Sequence, residues 1–248
     1  VSDAEAQAEM EADRAFFEAG PFSPESYQRT ARASLAVRRW IERERLTGFT
    51  MNFMEVNRAS GMPTLPFLEA GKALARGIGY GGEGDVLTAA LVGALGSMLG
   101  NTTFTEMFCP DWAGDSIFLS HMGEMNLRLT AGRPRLFAKP MPWVAVSTPV
   151  LAVGRLRGGQ ATFADLAPAP GDTCRLLTAR VQMLDTVGED RHTDSVRGWF
   201  RPPVPVADFL KAYSRDGGTH HAALVYGDVT DDLARVARLM GWPHTVLG

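Results

Sequence analysis

The pattern of apolar positions along this chain changes near residue 102, from helical periodicity before it to short β-rich runs separated by turn signals after it. In the first part, Ala and Glu fill residues 3–18 and predict a helix that runs out at Gly20-Pro21. Ser23 reads as the cap of a second helix, with Pro24 in its first position. Tyr27, Ala31, Leu35, Val37 and Ile41 mark that helix's apolar face to about Leu46. Residues 49–54 have strand composition, 65–76 are helical and 77–82 form a glycine-rich connection. A helix over 83–99 then ends at Gly100-Asn101, the expected stop chemistry.

Beyond residue 102 the β-rich runs are 102–108, 116–121, 125–130, 143–156, 160–166 and 173–184. They are punctuated by turns at Gly132-Arg133-Pro134, Gly158-Gly159 and Pro170-Gly171-Asp172. Regularly spaced short strands imply an antiparallel barrel or sandwich. Thr230-Asp231-Asp232 caps a closing helix to Met240, and Thr245-Val246-Leu247 reads as a last short strand. The predicted fold is α/β followed by mainly antiparallel β. Residues 1–101 are the end of a Rossmann-like α/β domain, and 102–248 are a β-barrel domain with a closing αβ element.

Composition narrows the function classes. The 248 residues are 45% apolar and 21% charged, a globular balance, and the net charge of −3 argues against a nucleic-acid or anionic-membrane partner. The longest apolar stretch, 86–99, falls short of the ~20 residues a membrane helix needs. Two cysteines in unlike contexts, Cys109 and Cys174, argue against a disulfide framework and make a reducing cytoplasm the expected location. No signal peptide opens the chain, and a start at Val1 inside a helical pattern suggests a piece of something longer.

Several side chains could carry chemistry. Gly77-Ile78-Gly79-Tyr80-Gly81-Gly82 satisfies the G-x-G-x-x-G spacing, but helical residues precede it where a dinucleotide site needs a strand. That reading is rejected. Arg38, Arg39, Arg43 and Arg45 alternate with Glu42 and Glu44 and read as a solvated face. Glu83 begins a helix, where N–H groups favour a carboxylate. Taken singly, Glu83 reads as a capping acid, Glu106 as a surface residue and His121 as an edge histidine. His220 and His221 precede an apolar run; on a strand they would point to opposite faces, so at most one joins a given cluster. His192 and His244 look peripheral. Together the two glutamates and two histidines form a ligand set suited to Mn²⁺, Co²⁺ or Mg²⁺.

The blocks around these residues are similar to the L-arabinose isomerase family, within the wider L-fucose/L-arabinose isomerase superfamily. Phe49-Thr50-Met51-Asn52-Phe53 resembles its Phe-Thr-x-Asn-Phe strand. Gly79-Tyr80-Gly81-Gly82-Glu83-Gly84-Asp85, followed by Thr88-Ala89-Ala90-Leu91, is close to its Glu-Gly-Asp block, the most specific of the set. Phe104-Thr105-Glu106 is similar to its Phe-Met-Glu, Leu119-Ser120-His121-Met122 to its Leu-Gly-Ala-His-Met, and Gly218-Thr219-His220-His221 to its Gly-Ala-His-His.

The resemblance implies that Glu83, Glu106, His121 and His221 bind Mn²⁺, with Co²⁺ or Mg²⁺ as substitutes. It implies that His220 faces the sugar and that Phe53 and Met122 line the pocket. Glu83 and Glu106 would carry the proton between C2 and C1 through a cis-enediol, which makes the chain an aldose–ketose isomerase. Met107-Phe108-Cys109-Pro110 replaces the family's Asp-Tyr-Thr-Tyr, Val86-Leu87 its Trp-Lys, and Gly123-Glu124-Met125-Asn126 its Leu-Glu-Val-Cys. These departures fall on the expected rim and leave the sugar open between a pentose and a hexose or deoxyhexose. The family's amino-terminal domain has no counterpart here, and in the family that domain of a neighbouring subunit helps close the site within a hexamer. The chain would then be the metal-holding half of the enzyme. A non-catalytic sugar-binding or regulatory relative, and another metal-enolate enzyme such as an epimerase or aldolase, are the alternatives.

Overall fold

A computed structural model describes residues 1–57, 59–185 and 190–248. The first part comprises α1 (Asp3–Phe16), β1 (Glu18–Ala19), α2 (Pro24–Glu44), β2 (Gly48–Thr50), α3 (Phe67–Ala75), β3 (Gly79–Gly81) and α4 (Val86–Leu99). Local chemistry explains the helix starts. The Ser2 side chain accepts the Glu5 amide while the Glu5 carboxylate takes the Ser2 amide, a reciprocal cap for α1. Ser23 caps α2 ahead of Pro24, as its sequence predicts. Strands β2 and β3 pair in parallel, Thr50 opposite Gly81, and α4 lies against them. That approach needs bare glycine: a Cβ on Gly79 would stand 2.4 Å from the Ala89 carbonyl oxygen and the Gly93 nitrogen.

Arg38 departs from the solvated face expected of its cluster. Its guanidinium turns inward to Glu9 (2.6 Å) and to the fully buried Glu69 (2.8 Å), while Arg76 reaches Glu69 from the other side. Both partners come from other helices, so the sequence of α2 alone could not reveal the pairing.

The second part holds β4 (Thr102–Asp111), β5 (Ser116–His121), β6 (Arg135–Ala138), β7 (Val150–Val153), β8 (Gly159–Ala169), β9 (Thr173–Met183) and β10 (Val196–Arg201). It continues with α5 (Val206–Arg215), β11 (His221–Tyr226), α6 (Thr230–Met240) and β12 (His244–Val246). Strands pair in the order β10-β5-β4-β11-β8-β9, and a further β9–β10 pairing, Phe200 opposite Met183, closes the ring. The result is a six-stranded antiparallel barrel, with β12 added in parallel at β9. The α/β part followed by an antiparallel barrel is the predicted fold class.

Ile117, Leu119, Phe163, Phe200 and Leu224 belong to one buried cluster, which Phe209 and Tyr213 of α5 complete. A second cluster joins Phe104, Ala164, Ala223 and Val225 of the barrel to Phe49, Tyr80, Val92 and Leu95 of the α/β part. Among the described residues no helix is long and apolar enough to cross a membrane.

Three expected strands come out differently. The run 49–54 is a strand only to Thr50 and then a 3-10 turn, Phe53–Glu55, started by the Asn52 side chain accepting the Met54 amide. Residues 125–130 contain a single 3-10 turn, Leu127–Leu129, because the Asn126 side chain accepts the Arg128 amide and donates to the Thr102 carbonyl. Of the run 143–156 only Val150–Val153 is a strand; Pro140, Pro142 and Pro149 deprive the stretch before it of ladder donors. The helix expected to begin at Glu83 starts at Val86 instead.

Candidate metal and acid–base site

The site lies where the β3–α4 turn meets the middle of β4, the end of β5 and the start of β11. Glu83 sits in that turn with φ of 60°, followed by Gly84 at 89°. The helix cap is Asp85, two residues on: its Oδ1 accepts the Thr88 amide at 2.9 Å and its Oδ2 the Thr88 hydroxyl at 2.7 Å. Glu83 is thus freed from the capping role its position suggested, and its carboxylate is 39% exposed.

His121 ends β5 and His221 begins β11, each with a side chain only 2% exposed. A carboxylate holds each imidazole at Nδ1. Glu124 Oε2 lies 2.8 Å from His121 Nδ1, and Asp85 Oδ2 lies 3.1 Å from His221 Nδ1. Glu124 is itself fixed, since the buried Tyr80 hydroxyl donates to its Oε1 at 2.9 Å. Phe104 packs edge-on against both imidazoles, with centroids 4.8 Å from His121 and 5.1 Å from His221. The two histidine rings are 5.4 Å apart.

Holding Nδ1 leaves Nε2 as the free ring nitrogen. His221 Nε2 is buried with no hydrogen-bond partner among the described residues, and Glu83 Oε2 lies 3.9 Å away. An orphaned buried nitrogen beside a carboxylate is costly unless something occupies the gap, and a cation would satisfy both. His121 Nε2 comes close to the same turn: a Cβ on Gly82 would stand 3.0 Å from it. An imidazole anchored through one nitrogen by a carboxylate, with the other presented inward, is the arrangement metal-binding histidines adopt.

His220 departs from expectation. It precedes β11, so strand alternation does not apply to it, and its ring stacks 4.0 Å from that of His221. Its Nε2 lies 3.7 Å from Glu83 Oε2, so both histidines of the pair approach one carboxylate. Glu83, His220 and His221 each offer a ligand atom, all within 4.8 Å of one another. His121 and Glu106 stand outside that trio. Glu106, on β4, is the ladder partner of His221 on β11 and of Ser120 on β5, one residue before His121. A bulge between Met107 and Cys109 follows it directly.

Burial disfavours the charged form of His121, yet the carboxylates of Glu124, Glu106 and Glu83 outweigh it and raise its pKa above the ordinary value. Burial also works against ionised Asp85, but hydrogen bonds from His221 and Thr88 bring its carboxyl down to about 2. Phe53 and Met122 share one apolar cluster with Phe67 and Leu151, Phe53 buried and Met122 partly so. Asp85 and Glu124 received no role from the sequence. The signal lay in the spacing, an acid three residues after His121 and another two after Glu83.

The donor set, two imidazole nitrogens on carboxylate anchors with glutamate oxygens beside them, fits a hard-to-borderline divalent ion. Comparison with known proteins agrees with this architecture. A family model of the L-arabinose isomerase central domain matches residues 5–101, and one of the L-arabinose isomerase C-terminal domain matches residues 101–243. The L-arabinose isomerase of Erwinia tasmaniensis is 30% identical over 223 residues, 85% of this chain and 43% of that protein. That of Herpetosiphon aurantiacus is 28% identical over 233 residues, 92% and 46%. L-arabinose isomerase 2 of Bacillus licheniformis is 27% identical over 244 residues, 95% and 51%. The chain spans about half the length of the curated relatives it matches, and it belongs to the L-arabinose isomerase family.

Proposed function

We propose that this chain is the metal-holding half of a divalent-metal-dependent aldose–ketose isomerase acting on a pentose, hexose or deoxyhexose. One observation carries the reading: two buried imidazoles are each tied at Nδ1 to a carboxylate, and the orphaned Nε2 of His221 faces Glu83. Glu83, Glu106, His121 and His221 would hold Mn²⁺, or Co²⁺ or Mg²⁺ in its place. When bound, the ion supplies positive charge that acidifies the proton next to the sugar carbonyl.

The remaining roles belong to the chain's own residues. Glu83 and Glu106 carry the proton between C2 and C1 through a cis-enediol, a task suited to carboxylates within hydrogen-bond reach of the carbon acid. His220, with a side chain 60% exposed beside Glu83, is placed to meet the sugar, and it is near enough to Glu83 to serve as a ligand too. Phe53 and Met122 supply apolar wall. The likeness to full-length isomerases supports a homo-oligomer in which a further domain closes over the site. The two family matches meet at residue 101, which supports a division into an α/β piece over 1–101 and a barrel over 102–248.

The test pairs Mn²⁺ affinity with a ketose assay over aldopentoses, aldohexoses and 6-deoxyhexoses. Tight Mn²⁺ with turnover establishes the isomerase and names its sugar. Tight Mn²⁺ without turnover, even when the chain is joined to an isomerase amino-terminal domain, favours the non-catalytic sugar-binding reading. No Mn²⁺ binding overturns the proposal.

A further inference from the structure

We infer that Thr50 is a positioning residue for Glu83, holding that glutamate in its left-handed conformation through a single hydroxyl. The inference rests on the reading of Glu83 as a metal ligand. Thr50 ends β2 and lies opposite Gly81 in the parallel pair. Its Oγ1 donates to the Gly81 carbonyl at 2.7 Å and accepts the Gly84 amide at 3.0 Å. One side chain therefore grips the residue two before Glu83 and the residue directly after it.

The grip matters because of what the turn contains. Glu83, at φ of 60°, occupies a region L side chains rarely adopt, and Gly84 follows at 89°. No helix holds Glu83 there, since α4 begins only at Val86. Among the described residues its carboxylate has no hydrogen bond, only the loose 3.7 and 3.9 Å approaches of His220 and His221. Backbone contacts must therefore fix its direction. Across the turn the Asp85 amide reaches the Gly82 carbonyl at 2.9 Å, and the other two clamps both run to Thr50 Oγ1. Without that hydroxyl, Glu83 is free to relax toward negative φ, which swings its carboxylate away from His221.

Thr50→Val keeps the branched shape a strand favours and removes both hydrogen bonds. Its Mn²⁺ dissociation constant should rise about tenfold, the lower end of the loss seen when groups supporting a ligand are removed, while Thr50→Ser should bind like wild type. In a Glu83→Ala background, Thr50→Val should add nothing further. Melting temperature and far-UV spectra report folding, and Thr50→Ala removes the same two bonds should Val disturb the strand. Unchanged Mn²⁺ affinity in both Thr50→Val and Thr50→Ala overturns the inference, as does an equal loss in the Glu83→Ala background. If Glu83→Ala itself binds Mn²⁺ like wild type, the metal reading of Glu83 fails, and the inference with it.

Discussion

His221 Nδ1 stands 3.1 Å from Asp85 Oδ2, so the carboxylate that caps α4 also orients the first residue of β11. One side chain ties the α/β part to the barrel at the site itself. Asparagine caps helices as well as aspartate, so Asp85→Asn should leave α4 in place. The new amide would confront the ring N–H of His221 and favour the tautomer with its proton on Nε2, the wrong nitrogen for a metal. Mn²⁺ affinity should fall about ten- to a hundredfold with helix content unchanged. Calorimetric titration checks this, and equal affinities would remove the anchoring role.

The same carboxylate makes an acid-stability prediction. Its folded pKa of about 2 lies below the ordinary 3.8, so the folded state gains stability that is complete above about 4. That gain is lost as pH falls from there toward about 2. Wild type should lose more of its urea midpoint between pH 5 and pH 3 than Asp85→Asn does. Parallel curves for the two proteins would contradict it.

With His121 as a ligand, as proposed, its protonation should set the pH dependence of metal binding. Its pKa is raised, burial notwithstanding, by Glu124, Glu106 and Glu83, so protons compete for its ring at higher pH than for a free histidine. Mn²⁺ affinity should decline as pH drops through that raised value. Removing the Glu124 charge lowers the pKa, so Glu124→Gln should bind more weakly but shift the decline to lower pH. Without metal the sign reverses for stability: the ion pair's contribution is full below 6.5 and disappears as pH rises through the raised value. His121→Ala should weaken Mn²⁺ binding by more than about tenfold.

How much of this was legible beforehand differs by element. Ser23-Pro24, Gly100 after α4 and the turn residues Gly158-Gly159 and Pro170-Gly171-Asp172 that bound β8 and open β9 are local signals, and the fold follows them. The 3-10 turn at Asn126 depends on Thr102, and the inward turn of Arg38 on Glu9 and Glu69, all distant partners that periodicity cannot see. Strand β10 and helix α5 had no place in the predicted pattern: adjacent Trp199 and Phe200 blur the alternation of β10, whereas Val206, Phe209 and Tyr213 of α5 do keep helical spacing. At the site, the candidate glutamates and histidines stood out in the sequence, but the acids that hydrogen-bond the two imidazoles did not. Asp85 and Glu124 acquire meaning only when β5, β11 and the β3–α4 turn converge.

Glu83→Gln isolates chemistry from structure. The side chain is 39% exposed and makes no hydrogen bond, so an isosteric amide should leave the melting temperature unchanged. In the proposed mechanism it removes a charged ligand and a proton carrier together. Ketose formation should vanish in the full-length enzyme carrying this change. Turnover near the wild-type rate would refute the acid–base role.

Gly82→Ala tests the closeness of the turn to the imidazole. An added Cβ would meet His121 Cε1 at 2.9 Å, closer than real Cβ contacts come, and His121 Nε2 at 3.0 Å and Phe104 Cζ at 3.1 Å, tighter than most. His121 cannot retreat freely, because Glu124 holds its other nitrogen and Tyr80 holds Glu124. Phe104 is equally confined between Tyr80 and both histidines. The strain should therefore fall on the turn, pushing Glu83 away from His221 while the barrel stays folded. A loss of Mn²⁺ affinity of about tenfold or more, with at most about 2 kcal/mol lost from the unfolding free energy, is the expected outcome. Mn²⁺ titration alongside urea denaturation reads both quantities. Full affinity in this variant would mean that the Gly82–His121 contact does not shape the site.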